Sequence, residues 1–85
     1  MFTGIIESIG KVKSISKNNS NITFTIESSL TKQLKIDQSI AHNGVCLTVV
    51  DIAENNYSVT AINETLNKTN LKNLKLGDFI NLERS

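Results

Sequence analysis

The chain has 85 residues, 39% of them hydrophobic and 20% charged, with a net charge of +1. That describes one small globular domain near the lower size limit for an unaided core, and it is too neutral for a partner held through phosphates. Aromatic content of 5% is too sparse for a base-stacking platform, and one cysteine with one histidine cannot build a zinc site within a single chain.

The chain opens with "MFTGIIESIG", which lacks the basic-then-apolar order of a secretory signal. Residues 2–15 alternate loosely, with Ile9, Lys11, Lys13 and Ile15 on one side and Ile6, Val12 and Ser14 on the other. This predicts a long first strand, bent at Gly4 or Gly10, where a missing side chain permits a kink. The cluster Lys17-Asn18-Asn19-Ser20-Asn21 is a turn. Ile22, Phe24 and Ile26 then alternate with threonines, as in a half-buried strand. Ser28 or Ser29 is placed to cap a short helix over residues 30–34. A short strand over 39–42 breaks at Asn43-Gly44, and strands over 46–53 and 57–63 flank Glu54-Asn55-Asn56 as a hairpin. One helical turn over 64–68 and a last strand over 79–82, entered through Leu76-Gly77-Asp78, complete the pattern. About six short strands with two helical scraps, no proline and no internal repeat predict an all-β, closed or nearly closed barrel. No apolar run approaches the roughly 20 residues that span a bilayer.

Hairpin register decides which side chains share a face. A two-residue turn at Asn55-Asn56 puts Cys46 and Thr48 on the face of Ala61 and Asn63. A three-residue loop sets Val50 opposite Thr60 and Thr48 opposite Ile62, and it sorts the hairpin better. Leu47, Val49, Val59 and Ala61 then share an interior face, while Cys46, Thr48, Thr60 and Ile62 form a mixed face suited to a ligand. Each of these residues also has a plain reading. Free cysteines usually pack as small hydrophobes, and threonines favour strands. His42 lies four residues from Cys46, a spacing that invites a Cys–His pair, but the break at Gly44 need not hold the two together. The lone cysteine excludes an internal disulfide and fits a cytoplasmic address.

Three stretches carry more than spacing does: "MFTGIIE" at the start, "AHNGVCLTV" at 41–49, and "ETLNKTNL" at 64–71 followed by "LKLGDFINLER" at 74–84. In order and spacing they resemble the N-terminal lumazine-binding repeat of the riboflavin synthase family, across essentially the whole chain. The resemblance implies a six-stranded Greek-key barrel binding 6,7-dimethyl-8-ribityllumazine or riboflavin. Family enzymes move a four-carbon unit between two lumazines, giving riboflavin and 5-amino-6-ribitylaminouracil, and need neither metal nor redox cofactor. It implies a second barrel and a C-terminal trimer-forming helix in the full enzyme, so residues 1–85 correspond to a single truncated or excised repeat. Such a repeat is expected to pair as a homodimer and to have little or no turnover alone.

Carried over motif by motif, the resemblance implies catalytic roles for Phe2 and Cys46. Gly4, Ile5 and Ile6 correspond to positions beside the pteridine, and Cys46, Leu47 and Thr48 to the segment meeting the ligand and its ribityl chain. Thr60, Ala61, Ile62, Asn63, Glu64 and Thr65 correspond to a run whose backbone lines the heterocycle edge, with Thr65 adding a hydroxyl. The run "TAIN" departs from the pattern more than its surroundings, so its backbone carries over better than its side chains.

Overall fold

In the computed structural model, which describes residues 2–85, the alternating segments form six strands. They are β1 (Ser8–Asn18), β2 (Asn21–Glu27), β3 (Ser39–His42), β4 (Val45–Ala53), β5 (Asn56–Ala61) and β6 (Phe79–Arg84). All pairings are antiparallel, and the sheet closes as a barrel in the order β1-β2-β5-β4-β3-β6. Closure pairs every strand with a neighbour on each side, apart from the stretch beyond Val49–Val59 where the β4–β5 ladder stops. The connections from β2 to β3 and from β5 to β6 each skip two strands, which gives the Greek-key character. One helix, α1 (Asn63–Lys68), and 3₁₀ turns at Ser29–Gln33 and Leu71–Asn73 cover the ends. No helix among the described residues is long and apolar enough to cross a membrane.

The interior takes the side chains that alternation assigns to it. Phe24, Ile26, Ile40, Val49, Val59 and Leu82 are fully buried, and each contributes roughly 1.5–3 kcal/mol relative to exposure. Ser28 caps its 3₁₀ turn by accepting from the Leu30 N–H at 3.1 Å. The core holds one polar pair. His42 Nδ1 donates to the Ile40 carbonyl at 3.0 Å, so Nε2 accepts from the Tyr57 hydroxyl at 2.8 Å. Burial lowers the His42 pKa to about 4 and pushes the Tyr57 phenol up. Both stay neutral near pH 7, the state that a dry interior favours.

The strand expected from residue 2 begins at Ser8, and its irregularity is a bulge between Val12 and Ser14 rather than a bend at Gly10. The extra residue, Lys13, shifts the phase, so Val12 and Ile15 both face the core although they are three apart. Gly10 has a different reason to lack a side chain. A Cβ there would lie 2.5 Å from Ile26 Cγ2 and 3.0 Å from Leu82 Cδ1, inward-facing side chains of the two flanking strands β2 and β6. Asn43-Gly44, expected as a break, is a two-residue hairpin turn with φ of 50° and 87°, which pairs His42 with Val45.

Neither expected β4–β5 register forms. The turn is Glu54-Asn55, with Ala53 opposite Asn56, and a second bulge at Val50 brings Val49 opposite Val59. Shortening the loop by one residue and adding one bulged residue together move the register by two. The faces therefore stay as expected: Leu47, Val49, Val59 and Ala61 are buried, and Cys46 and Thr48 are exposed. The fifth strand also stops at Ala61 rather than running to Asn63, and the helix begins at Asn63 rather than Glu64.

The structure contains a repeat that the sequence hides. After each 3₁₀ turn comes a matching stretch, Leu34-Lys35-Ile36-Asp37-Gln38-Ser39-Ile40 and Leu74-Lys75-Leu76-Gly77-Asp78-Phe79-Ile80. Gln38 accepts from the Lys35 N–H at 3.0 Å, and Asp78 from the Lys75 N–H at 2.9 Å. The first turn exchanges backbone hydrogen bonds with Val49 and the second with Val12, the residues that precede the two bulges. Hairpin, turn and strand thus occur twice, related by an internal two-fold. Apart from this stretch the halves share mainly polarity patterns, so the residues alone show only this short trace of the repeat.

Candidate functional site

Alternation along β4 points Leu47 inward and turns Cys46 and Thr48 outward, where both are exposed. The plain reading of Cys46 as a packed hydrophobe therefore fails. His42 faces the interior in its pair with Tyr57, so no Cys–His nucleophile pair forms.

The backbone adds a second feature. The hairpin turn makes His42–Val45 a hydrogen-bonded pair, so Val45 and Leu47 turn their N–H and C=O groups towards β3. Val49 keeps this parity, bonding to Asp37 and Gln38 on that side. Cys46 and Thr48 therefore direct their backbone groups towards β5. The β4–β5 ladder ends at Val49–Val59, although β4 continues to Val45 and β5 to Ala61. The two strands part there, and the Cys46 backbone has no ladder partner across the gap.

The far wall of the gap comes from β5 and α1. Thr60 points outward, half-buried, and its hydroxyl lies 2.9 Å from that of Thr23 on β2. Ala61 is buried, so like Leu47 it can meet a ligand only through its backbone. Ile62 precedes α1 and is exposed, Asn63 N–H donates to Asn21 Oδ1 at 3.2 Å, and Glu64 pairs with Lys68 at 2.8 Å. Thr65 is half-buried, and its carbonyl accepts from the Thr69 hydroxyl at 2.9 Å.

The N-terminal residues reach the same side by a different route. Ala41 on β3 stands opposite both Cys46 on β4 and Glu83 on β6, so the three occupy one line across the outer surface. Ala41 points outward yet is only 3% exposed. An arc of residues 2–6 crosses over it, and Gly4, Ile6, Ala41 and Glu83 line a common groove of about 280 Å3. Gly4 takes the bend with φ of +83°. Phe2 is half-buried in this arc, while Ile5 and Ile6 are 72% and 55% exposed. Sequence reasoning did not single out Ala41 or Glu83: alternation marks both as outward, and only the strand order puts them beside Cys46.

The three segments 2–6, 46–48 and 60–65 thus fall on one outer face: thiol, hydroxyls, exposed isoleucines and strand ends with open backbone positions. This is an open surface rather than an enclosed cavity, suited to one side of a flat molecule. A larger groove of about 590 Å3 lies elsewhere, lined by Ile9, Lys11, Glu27, Ser29, Lys32 and Phe79 among others. The internal two-fold relates it to the first face, with Ile9 in place of Cys46 and Lys11 in place of Thr48.

Comparison with known proteins gives this face a context. Residues 3–85 match the family model of the lumazine binding domain. The riboflavin synthase of Buchnera aphidicola subsp. Schizaphis graminum is 45% identical over 87 residues, covering 100% of this chain and 42% of that protein. The riboflavin synthase of Bacillus amyloliquefaciens is 40% identical over 86 residues, covering 100% of this chain and 40% of that protein. A crystal structure of LumP complexed with 6,7-dimethyl-8-(1'-D-ribityl) lumazine superposes with a TM-score of 0.92 at 30% identity, covering 100% of this chain and 49% of that one. The chain therefore spans about two fifths of the length of the curated relatives it matches.

Proposed function

Since this chain belongs to the lumazine-binding domain family, we propose that it binds 6,7-dimethyl-8-ribityllumazine or riboflavin on the outer face built from residues 2–6, 46–48 and 60–65. The observation that carries this reading is that the line Glu83–Ala41–Cys46 brings residues 2–6 beside 46–48, while 60–65 follow the point where the β4–β5 ladder stops. The parted ends of β4 and β5 offer fixed backbone donors and acceptors to the imide-like ring edge. Thr48 and Thr65 offer hydroxyls to the ribityl chain or ring. Cys46 and Phe2 are the groups assigned to chemistry.

The domain is one half of a riboflavin synthase active site. Transfer of a four-carbon unit needs two lumazines held face to face, and such positioning supplies much of the rate. One open face holds one of them. Exposed Ile5, Ile6 and Ile62 beside the site favour a second barrel covering it. In the isolated chain that barrel is another copy, giving a homodimer, whereas the full enzyme is a homotrimer with two barrels in each subunit. No metal or redox cofactor takes part, and the setting is cytoplasmic. A non-catalytic carrier is the second reading, favoured by the close superposition on LumP structures holding riboflavin or flavin mononucleotide.

Incubating the chain with the lumazine while following both its fluorescence and riboflavin formation tests the proposal. Saturable binding with turnover at least a hundredfold below that of a two-barrel synthase is expected. Absence of binding sinks the assignment, and full turnover sinks the half-site account.

A further inference from the structure

The arc of residues 2–6 is held by polar contacts at both ends and by the half-buried Phe2. Ile5 and Ile6 are both largely exposed, so neither anchors it in the core. One end is fixed where the Glu7 N–H donates to the Leu82 carbonyl at 2.8 Å, and Arg84 binds the Glu7 carboxylate. The other end is fixed by Glu83 alone among the hydrogen bonds of the described residues. Its Oε2 accepts from the Thr3 N–H and from the Thr3 hydroxyl at 2.9 Å, and its Oε1 accepts from the Gly4 N–H at 3.0 Å. Both oxygens are used, each facing a backbone donor. An amide in place of the carboxylate would turn an NH2 group towards one of those donors. The Thr3 N–H, followed by the other Thr3 and Gly4 contacts, holds the Glu83 carboxyl below its ordinary pKa.

We infer that Glu83 is a positioning residue, whose two-oxygen grip on Thr3 and Gly4 fixes the N-terminal arc over Ala41 so that Ile5 and Ile6 flank the ligand face at Cys46. This rests on the ligand site proposed above. Glu83 lies two strands from Cys46, about 10 Å away at ordinary strand spacing, with Ala41 between them. It therefore acts through the arc rather than by touching the ligand.

A double-mutant cycle on the full chain separates this role from general damage to the fold. With riboflavin as the probe and flavin fluorescence as the readout, Glu83→Gln should raise Kd about tenfold. The pair Ile5→Ala/Ile6→Ala should raise it similarly. Glu83→Gln added to that pair should change Kd less than twofold, because the contacts it positions are already gone. Glu83→Gln binding like the unaltered chain, or a tenfold loss that persists in the Ile5/Ile6 background, overturns the inference. If the unaltered chain does not bind riboflavin, the ligand proposal fails separately. Amide hydrogen exchange then still decides whether Glu83 holds the arc. Faster exchange at Thr3 and Gly4 in Glu83→Gln, with Ile40 and Leu82 unchanged, is expected, and unaltered exchange at Thr3 and Gly4 contradicts the grip.

Discussion

Thr48→Glu should weaken riboflavin binding by more than a hundredfold while leaving the fold intact. Thr48 is exposed and points away from the core at the mouth of the parted β4–β5 ladder. A glutamate there stays solvated in the free barrel and costs only the modest strand-propensity difference, within about 1 kcal/mol. A flat ligand pressed on this face must strip water from that carboxylate without supplying a cation. Leaving a buried charge unpaired costs at least about 3 kcal/mol, which corresponds to more than a hundredfold in affinity. Cys46→Ser is the informative neighbour. It preserves size and outward direction, so affinity should change less than threefold if the thiol serves chemistry rather than recognition. Fluorescence titration measures both, and a thermal melt verifies the fold. Thr48→Glu binding as tightly as the parent would remove β4 from the site.

Acid should destabilise the barrel through His42 before it reaches the carboxylates. The folded pKa of about 4 lies below the ordinary 6.5, with burial as the leading cause. A depressed histidine pKa means that the unfolded chain takes up a proton that the folded chain refuses. The stabilisation is therefore fully present above pH 6.5 and is lost as pH falls from there towards 4. At about 1.4 kcal/mol per pKa unit the loss approaches 3 kcal/mol, a large share of the stability of a small domain. Glu7 and Glu83, whose pKa values are lowered by hydrogen bonds from Arg84 and Thr3 respectively, give up their contributions only at lower pH. Urea midpoints across this range should fall steeply for the parent. They should fall much less for His42→Gln, whose side-chain carbonyl can still accept from Tyr57. Equal slopes in the two proteins would assign the acid sensitivity elsewhere.

Much of this was legible in the residues. Alternation in Ile22-Thr23-Phe24-Thr25-Ile26 and in Leu47-Thr48-Val49 marked the interior correctly, because burial on one face of a closed sheet leaves little freedom. Strand register was not legible. Two one-residue deviations, a shorter turn at Glu54-Asn55 and a bulge at Val50, compensate in parity and leave no local signature. Gly10 read as a hinge because a sequence does not show which side chains flank it on the neighbouring strands. Its neighbours there, Ile26 and Leu82, are far away along the chain. The family motifs named the segments of the candidate site, whereas the contact that ties the first segment to the others, Glu83 to Thr3 and Gly4, depends on β6 pairing with β3.

The barrel offers two faces related by its internal two-fold, and the ligand is expected on the one that bears Cys46. Titrating isotopically labelled chain with riboflavin and following backbone amide resonances addresses this directly. The largest shifts are expected at Ile5, Cys46, Thr48, Ile62 and Thr65, with Ile9, Lys11, Ser29 and Phe79 nearly unmoved. Shifts concentrated at Ile9, Lys11 and Phe79, with Cys46 and Thr48 silent, would place the ligand in the other groove and contradict the account.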